Sequence, residues 1–122
     1  MKPVYQDILK GPLANCLQAT TASIFDIPLD DVPNFMKFDD ATWYENFKEF
    51  CREHGVYPIT FQANDQIKSA LEGYHLIGVM TSRGVRHSVV GKNGEVVFDP
   101  FPGGSEITEI EDFTIFVFPF AG

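Results

Sequence analysis

A chain of 122 residues with 44% apolar content is sized for one domain over residues 1–122 with a single core, and its 12 Phe, 4 Tyr and 1 Trp supply bulk without disulfide staples. Nine Lys+Arg against 17 Asp+Glu leave a net charge of −8, which argues against the basic surface that non-specific nucleic-acid binding relies on. No apolar run approaches the roughly 18 residues of a membrane span, and two cysteines with no secretory signal point to a reducing setting, so the expected compartment is the cytoplasm.

In chain order, the first predicted element is a helix. Asn15 is placed to cap it, and Leu17, Thr20, Thr21 and Ile24 recur at helical spacing up to Phe25, where Asp26-Ile-Pro28 ends it. A short helical turn is expected at Leu29 to Val32, stopped by Pro33. Asp40-Ala-Thr-Trp43 begins a second helix with Trp43, Phe47, Phe50, Cys51 and His54 along one face, ended by Gly55. A third runs from Asp65 to Leu71, capped by Asn64 and ended by Gly73.

The remaining segments read as strands. Val56 to Phe61 contains Pro58, which suits a sheet edge. Tyr74 to Thr81 is apolar almost throughout, as in a strand buried on both faces. Val85 to Val90 and Val96 to Phe98 flank Asn93-Gly94, a strong hairpin signal that pairs Val90 with Val97 and Ser88 with Asp99. Phe113 to Phe118 forms a last strand, and the surplus Phe116, Phe118 and Phe120 suit a buried interface, although no oligomeric state follows. Helices followed by an antiparallel sheet give an α+β fold with no internal repeats. The acids at Asp26 to Asp40 and at Glu106 to Asp112 read as solvated loop and helix faces.

On this scaffold the residues that carry chemistry are few. Cys16 falls in the first turn of its helix, where free N–H groups and the helix dipole favour negative charge and so suit a thiolate. Its bland reading is a buried structural cysteine, the reading that fits Cys51 on the aromatic helix face. Among the histidines, His54 suits a helix C-cap and His75 suits core or surface. His87 differs, because the hairpin brings Asp99 to the same end of the ribbon. Asp99 then accepts one ring N–H and leaves the other nitrogen for a thiol; the structural alternative is a cross-strand ion pair. Chemically, a thiol needs a base, and the base a carboxylate to orient it.

Asn15-Cys16 opening a helix, followed by His87-Ser-Val-Val and Val-Phe-Asp99-Pro100, resembles the papain-like cysteine peptidase superfamily. The segment from Asn15-Cys-Leu-Gln-Ala through Asp26-Ile-Pro28 to Val32-Pro-Asn-Phe35 is similar to the C39-like group and its small stand-alone bacterial and phage relatives. The resemblance spans Gln6 to about Pro102 and implies a papain-like fold, with N-terminal helices packed on a C-terminal antiparallel sheet. It implies Cys16 as nucleophile, His87 as general base and acid, Asp99 as the orienting carboxylate, and a thioester acyl-enzyme on a peptide or protein substrate. Papain-like enzymes complete the oxyanion hole with a glutamine six residues before the cysteine, where this chain has Lys10. Gln6 is the expected donor if the Gly11-Pro12 turn returns it, and Gln18 is the fallback. An ordinary surface glutamine is the bland reading of Gln6.

Two other classes stay open. A papain-like fold without catalysis serves as a binding module, which the short chain and Lys10 favour. A metal site at Cys16, His87 and Asp99 lacks any CxxC, HxxxH or HExxH spacing, and no glycine pattern suits a phosphate, so no cofactor or metal is expected. The C39-like group cleaves after Gly-Gly, which implies a bond following small residues. Trp43, Tyr44, Phe101 and Phe35 are candidate cleft walls, although the helix period assigns the Trp43 face to the core.

Overall fold

The computed structural model describes residues 1–118, and Phe120 lies outside them. Three helices precede or interrupt a five-stranded antiparallel sheet, an α+β arrangement. Helix α1 covers Cys16–Phe25 and α2 covers Trp43–Glu53, with short 3-10 turns at Leu29–Asp31 and Phe35–Lys37 between them. Strand β1 (Tyr57–Gln62) leads into α3 (Asp65–Ala70), then β2 (Tyr74–Thr81), β3 (Arg86–Lys92), β4 (Glu95–Phe98) and β5 (Ile107–Val117). The sheet order is β1-β5-β2-β3-β4. Pro58, which has no N–H to give a neighbour, thus sits in an edge strand.

Period-two alternation divides the core. In β2, Leu76 joins Ala22, Phe35, Phe47, Phe50 and Cys51 on the side covered by α1 and α2. Its neighbour Ile77 joins Val79, Val89 and Phe113 on the other side, where Ile67 and Leu71 pack. Helix ends follow the expected chemistry in two cases. The Asn64 side chain accepts from the Ile67 N–H at 2.8 Å, and His54 is the C-cap of α2, with its Nδ1 at 2.9 Å from the Phe50 carbonyl. Cys51 is fully buried and its thiol pKa is pushed up to about 12 by burial, which leaves it a packing residue.

The structure corrects three expectations. Strand β5 starts at Ile107, so the acids of Glu106 to Asp112 belong largely to a strand in the sheet interior rather than to loop or helix faces. Phe118, expected to end the last strand, lies just beyond it. In the β3–β4 hairpin a register shift at Val90/Gly91 pairs Val90 with Phe98 rather than Val97. That is a β-bulge, an extra residue that a turn-based count does not foresee.

His75 proves to be core. It is fully buried, its pKa is lowered by burial, and Nε2 accepts from the Gly94 N–H at 3.0 Å, which ties the hairpin turn to β2. Gly91 makes the room: a Cβ there would run into His75 Cε1 and come within 2.6 Å of Ile77 Cδ1. Gly91→Ala is therefore expected to lower stability by about 1–3 kcal/mol through overpacking. A urea-unfolding midpoint unchanged from wild type would contradict this packing.

Candidate active site

The site begins with a loop that returns on itself ahead of α1. Gly11 takes a left-handed φ of 84°, and the Ala14 N–H donates to the Gly11 carbonyl at 3.1 Å. The Ile8 carbonyl accepts from the Asn15 N–H at 3.1 Å, closing the loop. Asn15 is the helix N-cap residue, yet its side chain makes no capping bond. Its Oδ1 instead accepts from the Asp7 and Ile8 N–H groups at 3.1 and 2.9 Å, and its Nδ2 donates to Asp7 Oδ1 at 2.7 Å. A 1% exposed amide that clamps the loop is held away from the helix N–H groups. Cys16 follows at the start of α1, partly exposed, where the first-turn N–H groups have no partners within the helix.

Across from it, His87 enters from β3 and Asp99 stands just past the end of β4. His87 Nε2 donates to Asp99 Oδ1 at 2.7 Å, with the two side chains 3% and 14% exposed. The Phe101 N–H donates to the same oxygen at 2.9 Å. Burial alone would lower the imidazole pKa, but hydrogen bonds to Asp99 and Cys16 and their charges outweigh it and raise it to about 9. Burial likewise works against the Asp99 carboxylate, and His87, the Phe101 N–H and the Ser105 hydroxyl outweigh it to hold its pKa below the ordinary value. Because Asp99 occupies Nε2, Nδ1 is the nitrogen left for the thiol. The structure thus brings Cys16, His87 and Asp99 together in the order thiol, imidazole, carboxylate.

Gln6 is 4% exposed rather than on the surface. Its backbone N–H donates to the Pro100 carbonyl at 3.0 Å, and its side-chain Nε2 donates to the Ile8 carbonyl at 3.0 Å. That carbonyl is the one that accepts from Asn15, so the Gln6 amide sits beside the residue preceding Cys16, with one Nε2 proton uncommitted. Gln6 does not line the cleft described next. Gln18 points elsewhere: its Nε2 donates to the Leu29 and Val32 carbonyls at 3.1 and 2.8 Å.

A cleft of about 880 Å³ opens beside Cys16 and His87. Leu17, Met36, Phe38, Trp43, Tyr44 and Phe47 form its apolar wall, and Leu76, Gly78 and Thr114 of the sheet contribute to its lining. Trp43 and Tyr44 pack, partly buried, against the core as the helix period predicts and also line the cleft, whereas Phe35 is fully buried. Phe101 takes a different part. Its ring lies edge-on 6.4 Å from His87, and the Arg83 guanidinium stacks on it at 4.0 Å while donating to Ser105 at 3.1 Å. The sequence signals this cover only as an aromatic two residues after Asp99; Arg83 lies in a turn that carries no motif. Among the described residues no group of three or more His, Cys, Asp or Glu side chains is placed to hold a metal ion, and no helix is long and apolar enough to cross a membrane. The chain matches no protein-family model, no curated protein and no solved structure.

Proposed function

We propose that the protein is a cysteine hydrolase of papain-like fold that cleaves a peptide or amide bond through Cys16, His87 and Asp99. The observation that carries this reading is the buried hydrogen bond of His87 to Asp99, with Cys16 and His87 lining the same cleft. The Cys16 sulfur attacks the carbonyl carbon as thiolate, a C–S bond forms, and the carbonyl π electrons move to oxygen. The backbone N–H of Cys16 at the helix start and the second Nε2 proton of Gln6 are the proposed donors to that oxyanion. His87 then gives its Nδ1 proton to the leaving amine as the C–N bond breaks, which yields a thioester. Water attacks the thioester, His87 takes its proton, and cleavage of the C–S bond restores the thiolate and releases the acid. Asp99 remains ionised throughout, fixing the tautomer and stabilising the imidazolium.

Iodoacetamide labelling tests the dyad without a known substrate. Rates at each cysteine, read by mass spectrometry at about pH 7, should show Cys16 alkylated several-fold faster in wild type than in His87→Ala. Buried Cys51 should stay unlabelled in the folded protein. Equal labelling of Cys16 in wild type and His87→Ala would leave a binding module in place of a hydrolase.

A further inference from the structure

We propose that the cleft beside Cys16 holds a bulky apolar acyl group, so that the bond cleaved follows a large aromatic or aliphatic residue rather than a small one. This rests on the reading of Cys16 as nucleophile and names the substrate class for that site. It departs from the small-residue preference that the C39-like resemblance implies.

Three observations converge on it. The first is size and lining: about 880 Å³, walled by Leu17 from α1, Met36 from a 3-10 turn, and Trp43 and Tyr44 from α2. A cleft of that volume exceeds what a glycine needs and suits a side chain of Phe or Leu size with its neighbouring main chain. Trp43 and Tyr44 pack edge to face with centroids 5.4 Å apart, which presents a fixed aromatic surface.

The second observation is the charge. Among the described residues Arg86 is the one Lys or Arg on the cleft lining, and it is already engaged. Its Nε donates to Glu111 at 3.1 Å and its Nη2 to Asp112 at 3.3 Å. Asp112 also lines the cleft but is paired with Arg86, and Asp40 adds a further carboxylate, so an anionic acyl group meets no free guanidinium there.

The third observation concerns Gly78 in the sheet. A Cβ at that position would run into the Asp112 carboxylate. The glycine lets Asp112 lie against the sheet instead of projecting into the apolar space. The acyl side is favoured over the amine side because the acyl group remains bonded to Sγ from attack to hydrolysis. Contacts next to Sγ therefore hold it through both steps, whereas the amine must leave early.

The test uses N-acetylated chloromethyl ketones of Phe, Gly and Glu on the full chain. Each alkylates a thiolate with loss of chloride, and the rate at Cys16 is divided by that for iodoacetamide to remove differences in thiol reactivity. The Phe probe should react about tenfold or more faster than the Gly probe, a typical discrimination for filling an apolar pocket. The Glu probe should be slower than both. Trp43→Ala should reduce the Phe-to-Gly ratio several-fold, and Met36→Ala tests the same cleft from another element if the first variant does not fold. Equal Phe and Gly rates in the wild type, or a fastest Glu probe, would overturn the inference even where iodoacetamide labelling depends on His87. Iodoacetamide labelling that ignores His87 would remove the parent reading, and this one with it.

Discussion

Cys16→Ala is expected to abolish hydrolysis, on the order of a 10⁶-fold loss as for other enzymes stripped of their nucleophile, while the protein keeps its fold. The thiol has no second role in the packing. Cys16 is partly exposed at the start of α1, and the core on that side is built by Ala22, Phe35, Phe47, Phe50 and Leu76. Alanine also keeps the helix propensity of the position. The urea-unfolding free energy should therefore stay within about 1 kcal/mol of wild type. A substrate-independent readout accompanies it. The hydrogen bond and charge of Cys16 help raise His87 to about 9, so the His87 titration, followed by NMR, should move down in the variant. A variant that unfolds would make Cys16 structural. An unmoved His87 titration would mean that thiol and imidazole do not interact.

Much of this arrangement was legible because its parts have local signatures. The Asn93-Gly94 turn and its apolar flanks predict the hairpin, and any hairpin there brings His87 and Asp99 to one end whatever its register. The bulge at Gly91 moved the ladder by a residue without separating the pair, because both side chains lie beyond the last paired residues, Val90 and Phe98. What stayed hidden depends on contacts distant in sequence. Glu106 to Asp112 carries four acids and so reads as solvated, yet the packing of Asp112 against Gly78 and its pairing with Arg86 are tertiary facts. The return of Gln6 to the Cys16 loop depends on Asn15 turning its side chain away from the helix, where propensity puts it as a cap. The aromatic period of α2 identifies a buried face but does not say that its N-terminal end, Trp43 and Tyr44, overhangs a cleft.

Asp99→Asn should reduce hydrolysis about 10⁴-fold, the loss seen when a triad carboxylate becomes an amide. An amide cannot stabilise the imidazolium, and where its NH₂ faces Nε2 it favours the tautomer that puts the proton on Nδ1, the nitrogen needed for the thiol. The same substitution alters the pH dependence of stability, and the sign can be worked out. His87 titrates at about 9 in the folded protein, above its ordinary value of 6.5. Between those two values the folded chain holds a proton that the unfolded chain has released. Stability from this source is thus fully present below 6.5 and is lost as pH rises through about 9; the shift corresponds to roughly 3 kcal/mol at most. The lowered Asp99 pKa acts at the other end: its contribution is present above the ordinary carboxylate value and is lost as pH falls through the folded one. In Asp99→Asn both dependences should flatten, since the main partner that raises His87 is gone. Urea unfolding at pH 6 and pH 9.5 should therefore show a large gap between wild type and variant at the lower pH and a small one at the higher. A gap of the same size at both would mean that His87 and Asp99 do not form the charged pair on which the proposed chemistry depends.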